Sequence, residues 1–197
     1  METPSRLVKN PHPGVIVVDD FLANPMDHRE FALKLEYEKK GSYGVRSKQA
    51  YAYLEYRDHF ERLLGQNIVK ESWHQGVNGC YQWCDRHQEL VWHVDGQDYA
   101  AIVYLTPDAP PSSGTSFWQS KHSKARMIGP NSNVDMTFGR GAYLKDPNHW
   151  DLIDQVGNVF NRLILFNGKM IHSASEYFGE NIHDSRLFQI FFFYVEK

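Results

Sequence analysis

The sequence predicts a mainly β domain preceded by supporting α-helices. Three observations lead there. Apolar residues at helical spacing are confined to roughly the first third of the chain. From about residue 76 onward, short apolar runs alternate with clusters of Gly, Pro, Asn and Asp, the texture of an all-β sandwich or barrel. Finally, 42% of the 197 residues are hydrophobic and 14% aromatic, enough to fill a sizeable core.

Taken in order, residues 1–14 carry three prolines and little periodicity and read as a flexible lead-in. Gly14-Val15-Ile16-Val17-Val18-Asp19-Asp20 follows as a β-branched strand. Asn24-Pro25 is a helix start, with Asn at the N-cap, Pro at the first helical position and Asp27 in the first turn. That helix is expected to pass through Phe31, Ala32 and Leu35 and to stop at Lys39-Lys40-Gly41. Tyr56, Phe60, Leu63 and Leu64 share one face of a second helix that Gly65 ends. Strands are expected at 89–94, 99–105, 115–118, 162–166, 170–172 and 186–195, with a turn over 107–114. Residues 119–158 read as long loops with one short helix.

Composition excludes some functions. A formal net charge of −3 provides no basic field for general nucleic-acid binding. No stretch reaches the ~18 apolar residues of a membrane helix. The N-terminus lacks the apolar core of a signal peptide, and two cysteines make no disulfide framework, so a cytoplasmic location is expected.

The chemistry centres on His93-Val94-Asp95, at the end of the apolar run Leu90-Val91-Trp92. Residues i and i+2 of a strand point to one face, so an imidazole and a carboxylate can approach one ion together. A second histidine completes a two-His, one-carboxylate face of the kind that holds non-haem iron(II) and leaves positions open. His172 fits, 77 residues after Asp95, with room for intervening strands. His87-Gln88-Glu89 has the same spacing but lies in a polar, solvated run. His149-Trp150-Asp151 precedes His172 by only 23 residues. Cys80, Cys84, His87 and His93 would make a loose zinc set at best. Arg186 opens the apolar strand Arg186-Leu187-Phe188-Gln189-Ile190-Phe191-Phe192-Phe193, where an unpaired guanidinium is costly and a ligand carboxylate is a natural partner. Asp184 is the ordinary alternative partner, and Arg162 the alternative anchor. Tyr104 is an aromatic strand residue that either packs in the core or hydrogen-bonds a co-substrate carboxylate. Lys121-His122-Ser123-Lys124-Ala125-Arg126 is a basic loop that could steer an anionic substrate.

In this order, His93-x-Asp95, Ala100-Ala101-Ile102-Val103-Tyr104-Leu105, Gly114-Thr115-Ser116-Phe117, Asn161-Arg162-Leu163-Ile164-Leu165-Phe166, His172-Ser173-Ala174 and Arg186-Leu187-Phe188-Gln189, the sequence resembles the 2-oxoglutarate/iron(II)-dependent oxygenases. It is most similar to the small bacterial and phage-type branch related to prolyl hydroxylases. The opening Val17-Val18-Asp19-Asp20-Phe21-Leu22, then Asn24-Pro25, is similar as well. The resemblance implies a double-stranded β-helix (a jelly roll) in one domain over 1–197, with 1–75 supplying the N-terminal strand and helices and 76–197 the jelly-roll core. It implies Fe(II), O2 and 2-oxoglutarate as co-substrate, succinate and CO2 as co-products, and stimulation by ascorbate. His93, Asp95 and His172 match the metal ligands and Arg186 the co-substrate anchor. Related halogenases lack the Asp, so hydroxylation, or its outcomes demethylation and desaturation, is the expected reaction. The expected substrate is a small molecule, an amino acid or a peptidyl side chain, selected by loops 36–50 and 119–158. The rival reading is a non-catalytic jelly-roll module holding a ligand or zinc. Oligomeric state is left open.

Overall fold

A computed structural model describes residues 13–39, 44–129, 132–138 and 145–197. Ten strands form two antiparallel sheets. The elements in chain order are β1 (Val15–Val18), α1 (Pro25–Leu33), β2 (Tyr37–Glu38), β3 (Val45–Ser47), α2 (Leu54–Leu64), α3 (Lys70–Trp73) and β4 (Tyr81–Cys84), then β5 (Tyr99–Tyr104), β6 (Thr115–Ser120), α4 (Val134–Phe138), β7 (Trp150–Val156), β8 (Leu163–Asn167), β9 (His172–Ala174) and β10 (Arg186–Phe193). The large sheet runs β1-β8-β5-β10-β4-β3-β2 and the small one β7-β6-β9.

The central strands β5, β8 and β10 are apolar along nearly their whole length, with Arg186 and Gln189 of β10 among the exceptions, because both of their faces are covered. On β5, Tyr99, Ala101 and Val103 pack toward the helices, while Ala100, Ile102 and Tyr104 face the small sheet. On β10, Leu187, Phe191 and Phe193 face the helices, and Phe188, Ile190 and Phe192 the small sheet. The helical side is an aromatic layer in which Phe60 of α2 meets Trp73, Phe191 and Phe193 at ring separations of 6.0, 5.2 and 5.7 Å. The period-2 alternation therefore puts Arg186 on the face that looks between the sheets.

α2 ends as expected at Gly65, which adopts a left-handed φ of 65°. α1 stops earlier than expected, at Leu33. Lys34 N–H and Leu35 N–H turn back onto the carbonyls of Phe31 and Ala32, so Leu35 joins the core from outside the helix. Of the predicted stop, Lys40 and Gly41 lie outside the described residues, as does most of the 1–14 lead-in. Asn24 offers no side-chain cap; its backbone carbonyl accepts from His28 N–H at 3.4 Å. The α1 connection is instead fixed by Asn161, at φ 64°, whose side chain accepts from Leu22 N–H at 2.8 Å and donates to Leu22 O at 3.0 Å.

Three further sequence expectations change. The strand expected at 170–172 is displaced to β9, His172–Ala174, with Met170 making only an isolated bridge to Met127. Residues 89–94 form no regular strand; the segment makes a single antiparallel bridge, His93 to His172. Residues 119–158 contain the end of β6, α4 and all of β7 rather than loops with one helix. Among the described residues, no helix is long and apolar enough to cross a membrane.

Candidate metal centre

The bridge between His93 and His172 is reciprocal. Each backbone N–H donates to the other's carbonyl at 3.0 Å, which brings the imidazoles to a centroid separation of 4.3 Å. Two residues on, Asp95 N–H donates to Gly168 O at 2.7 Å. That close approach requires glycine: a Cβ on Gly168 would lie 2.8 Å from Gln97 O and 3.1 Å from the Asp95 Cβ.

The side chains converge. Asp95 Oδ1 lies 3.7 Å from His93 Nε2, and Asp95 Oδ2 lies 3.5 Å from His172 Nε2. One potential ligand atom from each residue falls within 4.8 Å of the others, the single such group of His, Cys, Asp and Glu found among the described residues. Both Nδ1 atoms face backbone carbonyls, His93 toward Val91 O at 3.1 Å and His172 toward Met170 O at 2.9 Å. A proton on each Nδ1 satisfies those contacts and leaves each Nε2 lone pair aimed at the shared space. Burial pushes the His172 imidazole down to about 4, against a smaller opposing pull from the Asp95 carboxylate, so it is neutral near pH 7. The Asp95 side chain is only 10% exposed, and its Oδ2 has no hydrogen-bond partner. A buried carboxylate oxygen with no donor, facing two imidazole lone pairs, fits a divalent cation.

The two histidines line a cleft between the sheets with about 690 Å³ of free space, part of it open to solvent. Arg186 lines the same cleft and is 3% exposed. Its Nε donates to Ser113 O at 3.0 Å, and its Nη2 to Gly114 O at 3.3 Å and Thr115 Oγ1 at 3.4 Å. The guanidinium stacks 4.5 Å from the Phe188 ring centroid and 5.2 Å from that of Tyr104. Gly114 is obligatory here too, since a Cβ would meet Val156 O at 1.8 Å. Asp184 is not the partner of Arg186; its Oδ1 accepts from the N–H groups of Glu180 and Asn181.

The remaining sequence candidates go elsewhere. Arg162 is clamped by Asp19, with Nε to Oδ1 at 2.6 Å and Nη2 to Oδ2 at 3.0 Å, and it does not line the cleft. Tyr104 is fully buried behind Arg186, its hydroxyl shared with Thr115 Oγ1 at 2.8 Å. It supports the arginine and the threonine instead of facing the cleft. His87 pairs with Glu180 at 3.0 Å, and His149 Nδ1 lies 3.3 Å from Asp146. Cys80 and Cys84 are buried free thiols outside the His/Asp group. Sequence reading missed Arg46, Gln82, Thr115, Ser173 and Tyr177 as cleft residues. Thr115 and Ser173 were within reach, because each stands in a quoted strand motif. Arg46 and Gln82 sit on strands of only three and four residues, β3 and β4, too short for a clear pattern.

No curated protein matches the chain by sequence. Solved structures share its fold. HygX from Streptomyces hygroscopicus, with nickel and 2-oxoglutarate bound, superposes with a TM-score of 0.53 at 13% identity, over 90% of this chain and 81% of its own. SnoN, a non-haem α-ketoglutarate-dependent epimerase from nogalamycin biosynthesis, gives 0.53 at 15% identity over 90% and 76%. A prolyl hydroxylase from Trichoplax adhaerens, in complex with a hypoxia-inducible-factor peptide, gives 0.50 at 12% identity over 91% and 83%. The architecture is thus the jelly roll of the iron/2-oxoglutarate oxygenases. The match that extends to the sequence itself covers residues 80–186, more than half of the chain and all of His93, Asp95, His172 and Arg186, and by it the protein belongs to DUF6445, a family of unknown function.

Proposed function

We propose that the protein is an iron(II)- and 2-oxoglutarate-dependent oxygenase that hydroxylates an unactivated C–H of a small molecule, an amino acid or a peptidyl side chain. The observation that carries this reading is the convergence of His93 Nε2, His172 Nε2 and a donor-less Asp95 carboxylate beside a cleft that also presents a carboxylate-free Arg186. His93, Asp95 and His172 would hold the metal. Bound there, iron(II) supplies the one-electron chemistry that reduces O2 as 2-oxoglutarate loses CO2. The balance is substrate C–H, 2-oxoglutarate and O2 going to substrate C–OH, succinate and CO2.

This chain's residues do the positioning. His93, Asp95 and His172 would hold the metal, and the adjoining cleft would admit a keto acid and O2 to it. Arg186, tied down through Nε and Nη2 and sandwiched by two rings, still offers Nη1 to the distal carboxylate of 2-oxoglutarate. Phe166 packs 4.7 Å from the His172 ring, and with Ile190 and Phe192 it makes one wall of the cleft apolar.

The test is succinate formation from 2-oxoglutarate with iron(II), ascorbate and O2, comparing wild type with Asp95→Ala. Succinate above background that vanishes in the variant supports the oxygenase. If neither turnover nor 2-oxoglutarate binding in the presence of a divalent metal is found, the non-catalytic jelly-roll reading replaces it.

A further inference from the structure

The cleft carries a second guanidinium that the co-substrate does not need. Arg46 lies on β3, opposite Gln82 of β4, which in turn is opposite Phe188 of β10. Arg46, Gln82 and Phe188 therefore form one row across the large sheet, on the face that looks into the cleft, and all three line it. Arg186 belongs to the adjacent row, opposite Cys84. The two arginines stand at separate places on one wall, with the Phe188 ring under Arg186 and Gln82 next to Arg46.

Arg46 is oriented. Its Nε donates to Gln82 Oε1 at 2.6 Å, and Gln82 is itself only 6% exposed, so the acceptor is fixed by its surroundings. That single bond leaves both Nη groups, the fork that pairs with carboxylates and phosphates, without a partner among the described residues. Glu38 is its register neighbour on β2 and has a contact of its own, and among the described residues no ion pair joins it to Arg46. Among the described residues, Asp95 at the metal centre is the carboxylate beside the cleft, and no other Asp or Glu lines it.

Charge balance then separates the two arginines. A divalent metal and Arg186 together are cancelled by Asp95 and the two carboxylates of 2-oxoglutarate. Arg46 remains as an unbalanced positive charge on a largely apolar wall, and such a charge draws an anion. We propose that Arg46 is a specificity-determining residue that binds an anionic group, a carboxylate or a phosphate ester, on the substrate, so that the substrate class is an acid presented with its reacting carbon toward His93 and His172. The inference rests on the oxygenase reading of the site.

The test uses protein loaded with Mn(II) and saturating 2-oxoglutarate in the absence of O2, so that binding is read without turnover. The probes are matched pairs: the N-acetyl-L-amino acids against their amides, and N-acetyl-O-phosphoserine amide against N-acetylserine amide. Melting-temperature shifts and calorimetric titration report binding. We expect anionic members to bind and their neutral mates not to. R46Q should lower the affinity for the bound acid roughly tenfold or more, as loss of a charge-assisted pair implies. R46K should recover part of it, and 2-oxoglutarate affinity should stay within about twofold of wild type in both variants. Carboxylates binding alone, or the phosphate ester alone, would assign the anion. The proposal is overturned if neutral mates bind equally well, if R46Q binds the acid as wild type does, if no anion binds wild type, or if R46Q loses 2-oxoglutarate instead. Failure of wild type to bind Mn(II) and 2-oxoglutarate at all is a different result: it removes the oxygenase reading, and this inference with it.

Discussion

Replacing Asp95 with Asn should stabilise the metal-free protein while destroying its response to metal. Asp95 is 10% exposed and its Oδ2 has no donor. A buried polar atom left without a partner costs about 1–3 kcal/mol, more if charged. The amide has the same shape, carries no charge, and can turn an N–H toward His172 Nε2, which lies 3.5 Å from Oδ2 in the wild type. At about 2–4 °C per kcal/mol for a domain of this size, melting in EDTA should rise by roughly 2–12 °C. Added Mn(II) should reverse the order. At 100 times its dissociation constant a metal stabilises the wild type by about 2.7 kcal/mol, and the variant, having lost its carboxylate ligand, should gain far less. Differential scanning calorimetry with and without Mn(II) reads both effects. An Asn variant that melts below wild type in EDTA, or that gains as much from Mn(II), would refute the assignment of Asp95 as a metal ligand kept at the expense of stability.

Arg186→Gln should weaken 2-oxoglutarate binding tenfold or more while Mn(II) affinity is retained, because the guanidinium lines the cleft but lies outside the His/Asp group; equal loss of both would point to a collapsed cleft. Arg162→Ala should leave 2-oxoglutarate binding unchanged and cost at most about 1 kcal/mol, since its partner Asp19 is largely exposed. The same pair sets a small acid dependence: the hydrogen bond from Arg162 holds the Asp19 carboxyl below the usual carboxylate range. Its stabilisation is therefore present above that range and lost as pH falls through the lowered value, and urea titrations at stepped pH should show less acid sensitivity in Arg162→Ala. Phe60→Ala should cost about 3–5 kcal/mol by denaturant unfolding, because Phe60 is fully buried against three aromatic rings; a loss under 1 kcal/mol would mean that the helices do not share a core with the sheet.

How much of this was legible in the sequence depends on what each residue's signal is made of. The two-residue spacing of His93 and Asp95 holds for any extended backbone, so the pair faced one way even though 89–94 is not a regular strand. Arg186 was conspicuous because it heads an otherwise apolar strand. β7 was hidden because Leu152 and Ile153 are exposed and only its two ends, Trp150 and Val156, are buried, which erases the alternation that marks a half-buried strand. Its partner β6 also shifts register between Phe117 and Trp118. β3 has three residues, and nothing local shows that Arg46 faces the cleft; that follows only from its pairing with β4. The premature end of α1 is set by carbonyls accepting from Lys34 and Leu35, a backbone event to which apolar spacing is blind.

The reciprocal backbone bond between His93 and His172 bears on how metal would enter and leave the proposed centre. In small zinc domains the ligands are scattered until the ion gathers them, so a chelator unfolds the protein. Here the two imidazole-bearing backbones are already joined to each other, and Asp95 is joined to Gly168, by bonds that owe nothing to a cation. Binding and folding are thereby separate equilibria. A chelator should strip such a centre and leave an intact receptor that refills with a different divalent ion, and spectroscopic surrogates for iron(II) can be exchanged in under native conditions, with no refolding step.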